Sequence, residues 1–115
     1  MRWVFDIDGT ICFTEYKIED KKWTYIDAEP NVDLIEKINE LYDMGEYIVL
    51  FTARGSIINT NWDEITTKQL KEWGVKYHEL RFGKPGAEIY VDDRTISPED
   101  LINKWNFYQG IVHSE

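Results

Sequence analysis

Short apolar segments alternate with amphipathic helical segments along this chain, and the alternation limits the folds that it can adopt. Residues 3–7 are a β-branched and aromatic run typical of a buried strand, and a second buried strand, in the segment EYIVLFTARG, ends at Thr52. The segments VKYHEL and AEIYVDDR are interpreted as a third and a fourth strand. Strands that alternate with helices form a mostly parallel sheet covered on both faces. The sequence therefore predicts an α/β fold with a Rossmann-like three-layer α/β/α arrangement.

Helix signals fill the segments between these strands. Asn31 is a predicted N-cap, and apolar residues recur at helical spacing from there until Gly45 ends the helix. A second amphipathic helix carries Trp62 and Leu70 on or near one face and ends before Gly74. At 115 residues the chain is long enough for one packed core but not for two, so residues 1–115 are predicted to form a single domain.

Three further segments complete the predicted fold. Residues 13–30 are polar and aromatic, and they are interpreted as a loop or small hairpin that acts as a flap. Ser97, followed by a proline and two acids, is the N-terminal signature of a third helix that runs to about residue 105. Residues 107–115 contain two adjacent β-branched residues and are predicted to add an edge strand.

The charge balance and the single cysteine restrict the functional classes. The chain carries 13 basic and 22 acidic residues, a formal charge of −9, which argues against nucleic acid as a partner because binding its phosphates requires clustered Lys and Arg. Cys12 cannot form an intrachain disulfide, and with no histidine near it in sequence it is interpreted as a buried filler. Neither a stretch of about 18 apolar residues nor a signal-peptide pattern is present. We therefore expect a cytoplasmic protein with no membrane partner.

The unusual polar residues cluster where predicted strands end. Because the carboxyl ends of parallel strands meet at one edge of a sheet, these side chains are expected to lie close together, in the position where α/β sheets bind ligands. Two aspartates follow the first strand, a threonine the second and two more aspartates the fourth, while a lysine lies in the Gly/Pro loop before the fourth. These residues are Asp6, Asp8, Thr52, Lys84, Asp92 and Asp93.

Four carboxylates in one small site require something that offsets their repulsion. Either some take up protons or a hard cation binds, and Mg2+ suits sites that combine carboxylates with water and a substrate phosphate. A phosphoryl group also accounts for the other residues: Lys84 can neutralise its charge, and the Thr52 hydroxyl can donate to one of its oxygens. Gly9 would let the backbone turn sharply after the strand and bring amides close to the phosphate.

The order of these residues resembles that of a known enzyme family. DIDGT, FTARG with its Thr52, Lys84 and VDD stand in the order of the four motifs of the haloacid dehalogenase-like phosphohydrolases, across residues 6–93. The first motif, DxDGT after an apolar strand, is highly specific, and the other three gain specificity from their order. The resemblance implies a haloacid dehalogenase-like core and phosphate ester hydrolysis.

The resemblance also implies a role for each matching residue. Asp6 would be the nucleophile that forms an aspartyl-phosphate, and Asp8 would protonate the leaving oxygen and then activate the hydrolytic water. Thr52 and Lys84 would hold the phosphoryl group. The implied Mg2+ ligands are Asp6, Asp8 through its backbone carbonyl, Asp92 and Asp93, with a surface acid paired with Arg94 as the alternative for Asp93. The predicted phosphate-contacting set also includes Gly9, Ala53 and Arg54, with a solvated loop position as the alternative for Arg54.

Other interpretations of the aspartates account for fewer of these residues. A solvated turn leaves the threonine, the lysine and the second aspartate pair at the other loop ends unexplained. A calcium-binding EF-hand loop needs Gly and Glu where this chain has Ile11 and Lys17. A receiver domain of two-component signalling uses similar groups, but its acidic pair precedes the phosphorylated aspartate, an order that differs from this one.

Short spacing between the motifs predicts that the protein has no cap domain, so its site is open unless the flap or a neighbouring subunit of a homo-oligomer covers it. The chain also resembles the very short family members associated with capsule and surface-polysaccharide synthesis, which implies a sugar phosphate or a similar small phosphomonoester. Four flap residues could contact a sugar ring or a second anionic group, with a solvated hairpin as the alternative. They are Lys21, Lys22, Trp23 and Tyr25.

The residues and the resemblance together predict a Mg2+-dependent phosphomonoesterase that acts through an aspartyl-phosphate on a small phosphorylated metabolite. Three alternatives stay open. The first is a phosphatase for a nucleotide or a polynucleotide end, since an open site admits large substrates. The second is a regulatory module that binds metal or phosphate without turnover. The third is an interaction protein that uses the fold only as a scaffold.

Overall fold

The computed structural model of the chain contains a parallel sheet with helices packed against it. The structure describes residues 1–14, 16–17, 22–23, 27–54, 62–85, 87 and 89–113. In chain order the elements are β1 (Arg2–Asp6), β2 (Cys12–Phe13), β3 (Tyr16–Lys17), β4 (Lys22–Trp23), β5 (Glu29–Pro30), α1 (Val32–Asp43), β6 (Tyr47–Phe51), α2 (Trp62–Glu72), β7 (Glu79–Arg81), α3 (Pro98–Asn103) and α4 (Trp105–His113).

The three strands of the main sheet lie in the order β1-β6-β7, and both pairs are parallel. The register places Asp6 beside Phe51 and Phe51 beside Arg81, so the three strands end at the same edge of the sheet. The structure confirms the first three predicted strands and their parallel arrangement, although the third is confined to residues 79–81. This edge is where the polar residues of the first two motifs and the lysine loop follow.

The hydrophobic core lies between the helices and one face of the sheet. Phe5, Ile48 and Leu50 contribute the sheet side of the core and are nearly or fully buried. Helix α1 begins where the sequence predicts, because the side chain of Asn31 accepts a hydrogen bond from the Leu34 amide at 3.3 Å. The buried residues of α1 are Leu34, Ile35, Ile38 and Leu41. Burial of each of these aliphatic side chains stabilises the fold by about 1.5–3 kcal/mol.

The opposite face of the sheet is partly open. Val4 is 60% exposed there, and with Val49, Phe51 and two arginines it lines a shallow cavity of about 170 Å³. The predicted third layer, which would cover this face, is not seen within the described part of the chain. Helix α3 packs against α1 instead, so the chain after β7 returns to the side that α1 already covers.

The predicted fourth strand does not join the sheet. Among the residues that the structure describes between 87 and 93, none is in a strand, and Ile89 and Val91 are exposed. Local contacts hold this segment instead: the Tyr90 hydroxyl donates to the Pro85 carbonyl at 2.5 Å, and a turn follows in which the Arg94 amide donates to the Asp92 carboxylate. Within the described residues, the main sheet therefore has three strands, β1, β6 and β7.

The predicted edge strand at the C-terminus is wrong, because residues 105–113 form α4. Trp105 and Tyr108 are partly buried and Val112 is buried, and all three pack on the core at helical spacing. The adjacent β-branched pair suggested a strand, whereas tertiary packing of the helical period decides the outcome.

Two short antiparallel pairs lie in or directly beside the predicted flap, residues 13–30. Strand β2 pairs with β5, with Cys12 beside Pro30, and β3 pairs with β4, with Tyr16 beside Trp23. Within the described ranges, no helix has both the length and the apolar character needed to cross a membrane.

Candidate functional site

An ion pair between Asp6 and Lys84 marks the carboxyl edge of the sheet. Asp6 is the last residue of β1, and its Oδ2 lies 3.2 Å from the Lys84 Nζ. The other carboxylate oxygen, Oδ1, accepts a hydrogen bond from the Ile7 amide at 3.0 Å. The Asp6 side chain is 34% exposed and that of Lys84 17% exposed, so a ligand can reach the carboxylate while its cation partner is largely sheltered.

Burial raises the pKa of Asp6 above its ordinary value. Desolvation is the largest cause, and the neighbouring carboxylate of Asp8 adds to it slightly. The Lys84 ammonium and the hydrogen bond from the Ile7 amide act in the opposite direction without offsetting the burial. The ionised Asp6 carboxylate is thus poorly solvated, which is a useful property in a nucleophile.

Backbone hydrogen bonds across the sheet edge place Lys84. The Thr52 amide donates to the Arg81 carbonyl at 3.0 Å, and the Lys84 amide donates to the Thr52 carbonyl at 3.1 Å, so the ladder between the strands continues past their ends. Gly83 adopts a φ of +93°, a value that side chains disfavour, at the bend just before Lys84. The Lys84 Nζ also lies 4.0 Å from the centroid of the Tyr90 ring, a cation–π contact.

The turn that follows β1 is tightly closed. The Ile7 carbonyl accepts hydrogen bonds from the amides of Thr10 and Ile11, at 3.2 and 2.9 Å, and from the Cys12 amide at 3.2 Å. Gly9 has a φ of +84°, which confirms the sharp turn predicted at this glycine. Its amide donates to the Cys12 carbonyl at 2.8 Å and so already has a partner, while the phosphate role of Gly9 stays a prediction.

Asp8 is held by a buried guanidinium. The Arg54 Nη2 lies 2.8 Å from Asp8 Oδ1, and the Arg54 Nε lies 3.0 Å from Asp8 Oδ2 and 3.2 Å from Oδ1. The Arg54 side chain is 0% exposed and that of Asp8 20% exposed. Position 54 is therefore not a solvated loop position, and that alternative is wrong. Such a two-pronged contact fixes the plane of a carboxylate as well as its charge.

The same guanidinium is anchored on helix α2. Its Nη1 donates to the Thr66 hydroxyl at 3.1 Å and to the Gln69 Oε1 at 2.5 Å. The Thr52 hydroxyl joins the network from the other side: it accepts from the Arg54 amide at 3.0 Å and lies 3.4 Å from Asp8 Oδ2, within reach to donate. Asp8 is thus tied through one arginine to both β6 and α2.

The predicted metal ligands do not come together as a group. Within the described ranges, no three His, Cys, Asp or Glu side chains are arranged to hold a metal ion. Asp92 and Asp93 are exposed and lie in the turn after the unpaired segment, where Asp93 contacts Arg94 at 3.8 Å. Asp6 and Asp8 are balanced by one cation each. In this arrangement the aspartates do not fit the Mg2+ site that the resemblance implies.

One known structure is similar to the chain over nearly its whole length. A protein of known crystal structure from Vibrio cholerae is 28% identical, with a TM-score of 0.74, and the match covers 99% of this chain and 98% of that one. A hypothetical protein from Xanthomonas campestris is 21% identical, with a TM-score of 0.45, over 72% of this chain and 39% of that one. No protein-family model matches the chain, and no curated protein does.

The structure therefore brings together five of the predicted site residues. Asp6 and Lys84 form one ion pair, Asp8 and Arg54 form the other, and Thr52 lies between them. Ala53 is half-buried between Thr52 and Arg54. Of the predicted flap contacts, Lys21 and Tyr25 lie outside the described residues, and Lys22 and Trp23 form β4.

Cys12 is buried as predicted and borders the second ion pair. Burial raises the pKa of its thiol to about 12, with the Asp8 charge as the next cause, so the sulfur stays protonated at neutral pH. Its Sγ lies 3.6 Å from Asp8 Oδ1 and 3.8 Å from the Arg54 Nη2. A neutral thiol here fills space beside the carboxylate rather than acting as a nucleophile.

Sequence reasoning missed three side chains of the site. Thr66 and Gln69 anchor Arg54, and Tyr90 covers Lys84. A signal for the first two was present: they follow Trp62 by four and seven positions, so two polar residues share the buried side of an amphipathic helix with an aromatic one. Buried polar side chains need partners, and this pattern indicates a polar group inside. Tyr90 carried no such signal, because its contact depends on how the loop folds back.

Proposed function

We propose that this protein is a phosphomonoesterase in which Asp6 attacks phosphorus and forms an aspartyl-phosphate. One observation carries the proposal: a partly exposed carboxylate and an ammonium lie 3.2 Å apart at the carboxyl edge of a parallel sheet, with a second, rigidly held carboxylate two residues away. This combination offers a nucleophile, a cation for the phosphoryl oxygens and a group for proton transfer. The resemblance to the haloacid dehalogenase-like phosphohydrolases supports the same assignment.

The reaction can be written with the residues of the site. An Asp6 oxygen forms a bond to phosphorus as the bond to the ester oxygen breaks. Asp8, which first takes up a proton from solvent, gives that proton to the leaving oxygen and returns to the carboxylate paired with Arg54. Water then attacks phosphorus, Asp8 takes up a proton from it, and the bond to Asp6 breaks to release inorganic phosphate. Lys84 is within reach of a phosphoryl group bound at Asp6 and can stabilise its negative charge.

The choice of substrate follows from the open site and the charge of the protein. The partial exposure of Asp6 suits a small phosphorylated metabolite, with a sugar phosphate as the leading class because of the resemblance to the polysaccharide-associated members. A net charge of −9 weighs against a polynucleotide end. A cytoplasmic location and a Rossmann-like three-layer, haloacid dehalogenase-like core belong to the same proposal.

The proposal assigns no step to Mg2+, because the aspartates do not fit a metal site as they lie here. The dependence on Mg2+ that the resemblance implies is tested directly. Phosphate release is measured with Mg2+ and with a chelator. Loss of turnover in chelator would establish the metal requirement, and unchanged turnover would remove it while leaving the Asp6 chemistry in place.

The decisive experiment measures phosphate release from an aryl phosphate, sugar phosphates and nucleotides with the wild type and Asp6→Asn. The matched control is Asp43→Asn, which removes the charge of an exposed aspartate that is also paired with a lysine, at 2.8 Å. We expect turnover in the wild type and the control and none in Asp6→Asn. Mass spectrometry of quenched wild type should find one added phosphoryl group on the peptide that contains Asp6. Wild-type turnover that survives in Asp6→Asn would refute the proposal.

A phosphate-binding module without turnover is the second candidate. It is favoured by one observation: both oxygens of Asp8, the group that turnover needs for proton transfer, already accept hydrogen bonds from Arg54. Calorimetry with inorganic phosphate separates the two candidates. Binding without turnover of any substrate in the panel would select the module.

A further inference from the structure

We infer that Arg54 is a positioning residue for Asp8 and that Thr66 and Gln69 of α2 hold it in place. This inference rests on the proposed function, since it concerns the group that transfers the proton. Helix α2 contains no residue of the predicted catalytic set, and this inference assigns it the role of orienting Asp8 through Arg54. The role of Arg54 then differs from the phosphate contact that its place two residues after Thr52 suggests.

The guanidinium divides its nitrogens between two sides. Nε and Nη2 face Asp8, at 3.0 Å to Oδ2 and 2.8 Å to Oδ1, and Nη1 faces α2. Because a guanidinium is planar and its donors have fixed directions, anchoring one end fixes the position of the other. The Arg54 side chain is 0% exposed, so solvent does not compete for these contacts. The plane of the Asp8 carboxylate is therefore set from helix α2.

Asp8 needs such support because it lies in a turn. Its backbone follows β1 in the loop that Gly9 closes, and a carboxylate on a short loop has several rotamers that a catalytic geometry must exclude. Displacement of a catalytic group by about 1 Å can cost roughly a hundredfold in rate. Anchoring through Arg54 to a helix removes this freedom without placing any further residue next to the substrate.

The test separates proton transfer from general damage. Thr66→Val and Gln69→Leu each remove one anchor of Arg54 while keeping a similar side-chain volume. Thr67→Val is the matched control, since Thr67 is the next residue of the same helix and is exposed. kcat/KM is measured for each protein with a series of phosphate esters whose leaving alcohols range from acidic phenols to weakly acidic alkyl alcohols.

A mispositioned acid affects only those leaving groups that need a proton. In both anchor variants we expect kcat/KM to fall by about 10- to 100-fold for weakly acidic alcohols and to stay within about threefold for acidic phenols, because general acid catalysis contributes about 10²–10⁴-fold. In both anchor variants kcat/KM depends more steeply on the acidity of the leaving alcohol than in the wild type. The Thr67→Val control shows the same dependence as the wild type. An equal loss for all esters, or no loss, would overturn the inference.

Failure of the proposed function gives a different result. If the wild type hydrolyses no ester, the proposed function fails, and crystal structures of the wild type and Gln69→Leu then decide the positioning role. A rotated or displaced Asp8 carboxylate in the variant supports that role. An Asp8 carboxylate in its wild-type place, with Arg54 shifted or not, overturns it.

Discussion

Removal of the buried Arg54 guanidinium should destabilise the fold, and the size of the loss depends on how exposed the remaining Asp8 carboxylate is to water. Arg54→Met leaves the Asp8 carboxylate without its cation, and loss of one partner of a buried ion pair costs about 3–5 kcal/mol. The Asp8 side chain is 20% exposed in the folded protein, so water can partly replace the arginine. We therefore expect a loss near the lower end, about 3 kcal/mol. Asp8→Ala leaves the fully buried Arg54 without its anion, and the expected loss is near the upper end, about 5 kcal/mol.

Urea denaturation followed by circular dichroism measures these losses. With an m value of about 1.5 kcal/mol/M, a loss of about 3 kcal/mol lowers the midpoint by about 2 M. The double variant should lose less than the sum of the two single losses, by about 0.5–3 kcal/mol, because residues in direct contact are coupled. Lys76→Met is the matched control: it breaks an ion pair of the same length, 2.8 Å, whose side chains are 48% and 59% exposed. Its expected cost is below about 1 kcal/mol.

The order of the three losses tests the reasoning. If Arg54→Met costs no more than Lys76→Met, burial of the guanidinium does not determine its contribution, and the account of the site as a rigid, desolvated network is refuted. If Asp8→Ala costs less than Arg54→Met, the comparison of exposures is wrong even where both losses are large.

Three further predictions concern other parts of the site and the core. Burial raises the pKa of Asp6, so the folded state binds its proton more tightly than the unfolded state. The stability this provides is full below the ordinary pKa of 3.8 and is lost as pH rises through the folded pKa. The free energy of unfolding of Asp6→Asn, relative to wild type, should therefore increase between acidic and neutral pH in parallel urea titrations; a constant difference would contradict this. Glu46→Ala leaves the Trp3 indole N–H, now 3.0 Å from the Glu46 carboxylate, without its acceptor, and should cost about 1–3 kcal/mol in thermal unfolding; an unchanged Tm would show that water replaces the carboxylate. Gly9→Ala meets no atom within 4 Å but forces a side chain into a φ of +84°, so it should cost about 1 kcal/mol, and a cost near zero in urea would show that the turn relaxes.

Local sequence signals predicted the parts of the site that depend on strand ends. The apolar runs before Asp6 and Thr52 define β1 and β6, and parallel pairing then brings both residues to one edge whatever the rest of the chain does. Lys84 follows for the same reason, because its loop continues from β7. These positions follow from periodicity and pairing alone.

The partners within the site could not be predicted in the same way. Arg54 stands three residues after β6, and nothing local distinguishes an arginine that faces a ligand from one that turns inward to Asp8. The choice is made by Thr66 and Gln69, which offer buried acceptors from a helix further along the chain. The conformation of residues 89–93 also depends on non-local contacts. An apolar run that suits a strand joins a sheet only if pairing with a neighbouring strand lowers the free energy more than the contacts within its own loop do.

The Asp6–Lys84 ion pair joins the end of β1 to the loop that follows β7, and these two strands are not neighbours. Strand β6 lies between β1 and β7, and with strands about 4.8 Å apart the pair bridges roughly 10 Å of the sheet edge. The ion pair thus links the two outer strands of this three-stranded sheet. The length of the side chain at position 84 therefore matters as much as its charge. An anion that draws the ammonium away from Asp6 would break this link, so occupation of the site would also remove a contact between the ends of the sheet.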